Sequence, residues 1–148
     1  MINQTRILVL SIFMLSAAAL LVSCGPPGTA SVSEDYIRML AENKMQALNE
    51  GNYNVFCQDF SNQLKDAFSD DEFVEFRETV LNSSGRFETI TNLRISRTQD
   101  RNYVAYILST KFEEENVALT LVYAINGDLV EGIFFNAPKL NKALQAQQ

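Results

Sequence analysis

Few side chains in this 148-residue chain could carry out chemistry, because it has two cysteines, Cys24 and Cys57, and no histidine. Histidine is the commonest general base and metal ligand at neutral pH, so its absence removes many acid–base and metal-dependent mechanisms. Cys57 lies in the apolar, helix-like stretch NVFCQDF. Since no imidazole can activate its thiol, we expect Cys57 to be a small buried side chain rather than a nucleophile.

Two acidic clusters, residues 70–72 and 113–115, are the candidates for cation binding. The first lacks the ligand spacing of a calcium loop, and its carboxylates suit the first turn of a helix that begins after Ser69. The second lies between two strand patterns and is typical of a polar hairpin turn. We therefore predict neither a metal site nor a cofactor.

Cys24 follows an apolar run, residues 7–22, which Arg6 precedes. A charged residue followed by such a run is the order of a secretory signal peptide. The run has 16 residues, whereas a permanent spanning helix needs about 20. The next residues, GPPG at 25–28, cannot continue a helix and suit a flexible tether.

Residues 21–24, LVSC, resemble the lipobox of bacterial lipoproteins. The resemblance implies a signal peptide over residues 1–23 and a diacylglycerol thioether on Cys24, which becomes the first mature residue. Two or three acyl chains hold a protein on a bilayer, since each buried methylene contributes about 0.8 kcal/mol. The implied location is the bacterial cell membrane or outer membrane, on the periplasmic or surface side. The alternatives are an ordinary signal peptide or a short membrane anchor with a chance cysteine.

The length of the remaining chain fits one compact domain. We predict an acylated tether at residues 24–32, a folded domain at 33–138 and a C-terminal tail at 139–148. The chain has 12 Lys and Arg against 18 Asp and Glu, a net charge of −6. That charge disfavours binding to phosphate backbones, so we expect no nucleic-acid partner.

The hydrophobic period indicates an α+β fold. Apolar residues recur at helical spacing over residues 33–50, over 53–68, and from SDDEF to NSSG, residues 69–85. The period then changes to 2 in four segments, RFETITNLRIS, YVAYILSTKF, VALTLVYAI and LVEGIFF. We predict three N-terminal helices packed on one face of a curved, four-stranded antiparallel sheet.

A two-residue type I′ turn at Asn126-Gly127 would place Tyr123 opposite Val130. The same alignment places Leu121 opposite Gly132 and Leu119 opposite Phe134, and a four-residue loop EEEN places Tyr106 opposite Tyr123. The face shared by these pairs, here called the inner face, carries no ionised side chain. It is the face that we expect the helices to cover. The predicted pocket-lining residues on it are Tyr106, Tyr123, Thr110 and Gly132, and the predicted polar rim residue is Arg77.

The opposite side of the sheet, here called the outer face, is unusually apolar in this alignment. A second copy or another protein would cover it, or else Leu140 and Leu144 of the C-terminal segment would fold back over it. The predicted contact residues of the outer face are Ile107, Val122, Ile133 and Phe135.

Most of residues 36–138 resemble the bacterial domain-of-unknown-function family 3887, within the nuclear transport factor 2-like, or cystatin-like, superfamily. Its members have G-x-Y/F at the entry to the second helix, G-x-F at the start of the sheet and G-h-h-F on the last strand. These positions are here Gly51 and Tyr53, Gly85 and Phe87, and Gly132 with Phe134 and Phe135. The resemblance implies a cone-shaped α+β domain without an assigned activity. Some members are joined to α/β-hydrolase domains, which implies an accessory role. No nucleophile-elbow motif occurs in this sequence, so that enzyme would be a separate chain.

These features favour a non-catalytic accessory domain that binds a small apolar ligand or a protein. A first alternative is an enzyme of the hydrolase or isomerase type, in which Arg77 or Glu78 would supply the chemistry because the inner face carries no proton-transfer group. A second alternative is a structural subunit of the envelope that associates with itself through the outer face.

Overall fold

The structure is a computed structural model that describes residues 33–97 and 102–146. The predicted signal peptide, Cys24 and tether lie outside the described residues. The elements in chain order are helices α1 (Glu34–Glu50), α2 (Tyr53–Phe56), α3 (Asn62–Asp66) and α4 (Asp70–Ser84), strands β1 (Phe87–Arg97), β2 (Tyr103–Phe112), β3 (Asn116–Ala124) and β4 (Val130–Asn136), and helix α5 (Pro138–Gln145). The predicted α+β class is confirmed. Among the described helices, none combines the length and the apolar character that a membrane span requires.

Helices α1 and α4 begin and end where their sequences predict. Gly51, at a φ of 77°, ends α1 in the left-handed conformation that glycine adopts without strain. At the start of α4, the Ser69 hydroxyl accepts a hydrogen bond from the Glu72 N–H, and the Glu72 carboxylate accepts one from the Ser69 N–H. This reciprocal capping box accounts for the acidic cluster at residues 70–72.

The prediction of one helix over residues 53–68 is wrong. The chain forms two short helices, α2 and α3, and between them it pairs with the start of β4. The Val130 N–H donates to the Asp59 carbonyl at 2.8 Å, and the Ser61 N–H donates to the Val130 carbonyl at 2.9 Å. The helical pattern is interrupted because these backbone groups bond to a strand, and the Ser61 hydroxyl then caps α3.

The sheet is antiparallel throughout, in the order β1-β2-β3-β4. Tyr106 pairs with Leu121 rather than with Tyr123 as predicted, because Asn116 joins β3 opposite Lys111. The error is two residues, and a shift of two keeps every side chain on its predicted face. Tyr106 and Tyr123 therefore still share the inner face, as diagonal neighbours.

The predicted turn before β4 is also wrong. Only Asn126, at a φ of 64°, has a positive φ in the connection between β3 and β4, whereas a type I′ turn requires positive φ at both central residues. The connection spans residues 125–129, and the Ile125 N–H donates to the Asn102 carbonyl. Tyr123 nevertheless pairs with Val130, as predicted.

An irregularity after Val130 changes the faces of β4. Val122 pairs with Gly132 and Leu121 with Ile133, so one extra residue, Glu131, enters the strand. Gly132 and Phe134 consequently lie on the outer face, whereas Ile133 and Phe135 lie on the inner face. The predictions that Gly132 lines an inner pocket and that Ile133 and Phe135 belong to the outer face are therefore wrong.

The core fills the space between the inner face and the helices. Leu108, Leu119 and Leu121 of the sheet and Ile37 and Leu48 of α1 are fully buried. The segment predicted as a tail is instead helix α5, whose Leu140 is also fully buried. Helix α5 packs against α4 on the helical side of the sheet, so it does not cover the outer face.

Candidate apolar binding cavity

The tyrosines predicted to line a pocket lie in the packed core. Tyr106 and Tyr123 are each 1% exposed, and their rings meet edge to face with centroids 5.7 Å apart. Thr110 is equally buried, and its hydroxyl donates to the Val117 carbonyl at 2.7 Å. All three side chains lie on the inner face, where the two tyrosines are in contact, whereas Gly132 lies on the outer face.

Arg77, predicted as a polar rim residue, binds the end of α1. Its Nε donates to the Leu48 carbonyl at 2.8 Å, and its terminal nitrogen donates to the Asn49 carbonyl at 2.9 Å. These are carbonyls that a helix end leaves without intrahelical partners. Arg77 thus fastens α4 to the C-terminus of α1, which gives it a structural role.

The structure contains an ion pair, buried at Lys44 and partly exposed at Asp59, that the sequence patterns did not predict. Lys44 of α1 is 2% exposed, and its Nζ donates to the Phe56 carbonyl at 2.7 Å and to the Asp59 carboxylate. The same nitrogen lies 4.6 Å from the centroid of the Phe60 ring, within cation–π range. The signal was available, since Lys44 stands on the apolar stripe of α1 that includes Ile37, Ala41 and Leu48.

Burial shifts the pKa values around this ion pair. It lowers the pKa of the Lys44 ammonium, and the hydrogen bond and the charge of Asp59 only partly oppose that effect. Burial, with a smaller contribution from the negative charge of Asp59, raises the pKa of Tyr123. The inner-face residues of β2 and β3 carry no charge, but Lys44 and Asp59 bring charge into the core from the helical side.

Two polar atoms near the ion pair are buried without a hydrogen-bond partner among the described residues, namely Asp59 Oδ2 and the Tyr123 hydroxyl. Buried polar atoms are normally hydrogen-bonded, so this part of the core is costly. Within the ranges 33–97 and 102–146, no three His, Cys, Asp or Glu side chains are grouped so as to hold a metal ion.

An apolar cavity of about 280 Å³ opens beside this core, between the segment that contains α2 and α3, helices α4 and α5, and strand β4. We call it the phenylalanine cavity. Phe76 lines it, and its ring centroid lies 6.1 Å from that of Phe68 and 5.0 Å from that of Phe135. Its lining residues are Phe56, Leu64, Ala67, Phe68, Phe76, Ile133, Phe134, Phe135 and Leu144.

The phenylalanine cavity depends on two features that the sequence patterns did not predict. The break between α2 and α3 positions Leu64 and Ala67 beside β4, and the irregularity after Val130 turns Phe135 toward Phe76. Phe134 is 59% exposed at the edge of the cavity. A shallower depression of about 380 Å³ continues from Phe134 onto the outer face, past Val122 and Gly132.

A larger, open groove of about 1130 Å³ lies between α4 and α5. Its lining includes exposed charged residues of both signs, such as Glu78 and Lys142. Binding sites for small molecules are mostly apolar with a few convergent polar groups, and this groove lacks that composition. The phenylalanine cavity is therefore the better candidate site.

Comparisons with known proteins identify the family of this chain. No curated protein matches this chain significantly. The sequence profile of one family, described as protein of unknown function (DUF3887), matches residues 41–131. That span covers α1 from Ala41 through the first residues of β4, and it includes Lys44, Asp59 and most of the residues that line the phenylalanine cavity. Because the match covers more than half of the chain, this protein belongs to the DUF3887 family.

Proposed function

We propose that this protein is a lipid-anchored lipoprotein of the bacterial envelope whose domain binds a small apolar ligand in the phenylalanine cavity. The observation that carries the binding proposal is the lining, in which every side chain is aliphatic or aromatic. Such a surface recognises hydrocarbon by shape and by removal of water, and it offers no side chain that could move a proton. The proposed role is therefore binding rather than catalysis.

The size of the cavity limits the ligand. Its volume of about 280 Å³ lies at the lower end of the range for small-molecule sites, roughly 300–1,000 Å³. A short acyl chain, or one or two rings, is the corresponding ligand class. A larger amphiphile would place only its apolar end there and leave its polar part outside.

The proposed anchor is the lipid on Cys24. Nine residues separate Cys24 from the start of α1, and an extended chain of that length reaches about 30 Å. The domain would therefore work close to the membrane surface. Metabolic labelling with an alkyne analogue of palmitate tests this proposal: the wild-type chain should be labelled and the Cys24→Ser chain should not. Equal labelling of both chains would overturn the anchor.

We also propose that the domain has the cone of the nuclear transport factor 2-like superfamily. The support is the antiparallel sheet with helices on one face and with irregular pairing in β1 and β4. Irregularities of this kind bend a sheet.

Binding can be tested on the full chain in lipid nanodiscs, with 1-octanol as the apolar probe. Hydrogen exchange measured by mass spectrometry should show that octanol protects the peptides of residues 53–68 and of β4. The free octanol concentration is measured in the aqueous phase, because the probe also partitions into lipid.

The matched variants are Ala67→Phe, which fills the cavity from an exposed position, and Ala118→Phe, which adds the same ring to the outer face. We expect Ala67→Phe to abolish protection by octanol and Ala118→Phe to leave it unchanged. If octanol protects neither peptide of the wild-type chain, the binding proposal is wrong.

A second candidate function is self-association through the outer face. Phe134 and Tyr103 are 59% and 39% exposed there, beside the half-buried Ile107 and Val122. Sedimentation equilibrium of the full chain in detergent distinguishes the two candidates. A dimer that Val122→Glu dissociates would support this second function, whereas a monomer at all concentrations would exclude it.

A further inference from the structure

The Lys44–Asp59 ion pair lies directly behind one wall of the phenylalanine cavity. Phe56 contributes its ring to that wall, and its backbone carbonyl accepts the 2.7 Å hydrogen bond from Lys44 Nζ. The ring of Phe60, which packs edge to face on Phe56 at 5.6 Å, lies under the same ammonium group. Lys44 therefore contacts the backbone carbonyl of Phe56, which lines the cavity, and the ring of Phe60, which packs on Phe56.

The other partner of Lys44 connects this wall to the opposite one. The carboxylate of Asp59 bonds to Lys44, while its backbone carbonyl accepts the hydrogen bond from the Val130 N–H. Val130 begins β4, the strand that carries Ile133 and Phe135 on the far side of the cavity. The ion pair thus links the segment that carries Phe56 to the first residue of β4.

Stability alone does not account for this ion pair. Burial lowers the pKa of Lys44, so the charged form is less favourable in the folded protein than in water. Apolar side chains of similar volume often replace a buried ion pair without loss of stability. An ammonium group does, however, hold two acceptors at fixed places in a way that an apolar side chain cannot.

We infer that Lys44 is a positioning residue for the phenylalanine cavity: with Asp59 it holds residues 56–59 against the start of β4 and so sets the distance between the two cavity walls. The inference rests on the proposed function, because it assigns a role to Lys44 in ligand binding. It assigns none to Lys44 in catalysis.

The test uses the full chain in nanodiscs and the octanol concentration that gives half-maximal protection of residues 53–68. The variants are Lys44→Met, Asp59→Asn and the double variant Lys44→Met/Asp59→Asn. The double variant removes both charges and keeps the side-chain volumes, so it separates positioning from the cost of an unpaired charge. We expect it to remain folded with a lower thermal midpoint than wild type, because the Phe56 carbonyl loses its donor. We expect its half-maximal octanol concentration to be at least about five-fold higher, a change of about 1 kcal/mol.

The hydrogen exchange of the same samples gives a second readout. Without octanol, deuterium uptake over residues 57–61 and at the start of β4 should increase in the double variant, while uptake over α4 should not change. Unaltered octanol protection in a folded double variant would overturn the inference and leave the proposed function intact. If the wild-type chain shows no octanol protection, the proposed function itself fails. If Lys44→Met does not fold, the double variant, which leaves no unpaired charge, decides the outcome.

Discussion

Two neighbouring segments, residues 53–68 and 69–85, have the same kind of helical pattern and fold differently. The second forms one helix of 15 residues, α4, whereas the first forms helices of 4 and 5 residues with a bridge to β4 between them. The difference lies in where each segment finds its hydrogen-bond partners. Helix α4 satisfies its first turn with its own Ser69 and Glu72. Between α2 and α3, by contrast, the Asp59 carboxylate bonds to Lys44 and the backbone bonds to Val130, and both partners are distant in sequence.

This comparison shows which parts of the domain are set locally and which by tertiary contacts. A helix with its own cap and apolar stripe is specified within about 15 residues of sequence. The break between α2 and α3 depends instead on pairing with β4 and on the buried ammonium group of Lys44. The candidate binding site lies beside residues 53–68, so its shape depends on contacts between distant parts of the chain.

The largest expected effect that tests the comparison is the loss of Lys44. In Lys44→Met the Asp59 carboxylate stays partly buried without its cation, and breaking a buried ion pair costs about 3–5 kcal/mol. Because Asp59 retains 19% exposure, we expect a loss of about 3 kcal/mol in the free energy of unfolding. Urea denaturation measures it, and a loss smaller than that of Ser69→Ala would contradict the tertiary origin of the break.

The next largest expected effect concerns the thiol of Cys57, which follows the last residue of α2. Burial raises the pKa of Cys57 from 9.0 to about 11. The folded state therefore keeps a proton that the unfolded state loses, so stability present below pH 9 declines as the pH rises toward 11. Between these pH values we expect wild type to lose about 1–2 kcal/mol more than Cys57→Ala. Parallel urea series at several pH values give the difference, and equal pH dependence in both chains would refute this burial effect.

Glu115 tests whether α4 is stabilised only by residues that are near it in sequence. Its carboxylate accepts hydrogen bonds from the Ser84 hydroxyl at the end of α4 and from the Lys139 and Leu140 N–H groups at the start of α5. Burial disfavours its ionised form, but these bonds outweigh that effect and lower its pKa. The resulting stability is present above the ordinary glutamate pKa and is lost as the pH falls through the lowered value.

Glu115→Gln should lower the free energy of unfolding at pH 7 by about 1–2 kcal/mol, since hydrogen bonds to a charged group are worth about 1.5–3 kcal/mol and the amide oxygen of glutamine keeps part of that. The difference from wild type should shrink in acid. Thermal denaturation at pH 7 and pH 3 measures both effects. A constant difference would mean that the charge of Glu115 does not hold α5 to the end of α4.

The smallest expected effect is at the local cap. Ser69→Ala removes the hydroxyl that accepts the Glu72 N–H and should cost about 1 kcal/mol. The loss should appear as faster hydrogen exchange in the first turn of α4, with residues 57–61 unaffected. Faster exchange at both places would show that the two segments are coupled. It would contradict the view that α4 is stabilised locally and residues 57–61 by tertiary contacts.

The sequence patterns predict those features that depend on period and on local caps. The four strands and the inner-face placement of Tyr106 and Tyr123 follow from alternation, which survives the two-residue error in register. The extra residue in β4 does not follow, because Glu131 fits the alternation of VEGIFF, and a bulge depends on what packs beside the strand. The cavity depends on that bulge and on the break near Asp59, so it could not be derived from the patterns alone.

The most direct test of the binding proposal is to label the full chain in nanodiscs with a photoreactive diazirine analogue of octanol and to identify the labelled residues by mass spectrometry. The proposal predicts labelling of Phe76, Phe135 or Leu144, which line the phenylalanine cavity, and loss of that labelling in Ala67→Phe. Labelling confined to Tyr103 and Val122 on the outer face, or labelling that Ala67→Phe does not reduce, would contradict it.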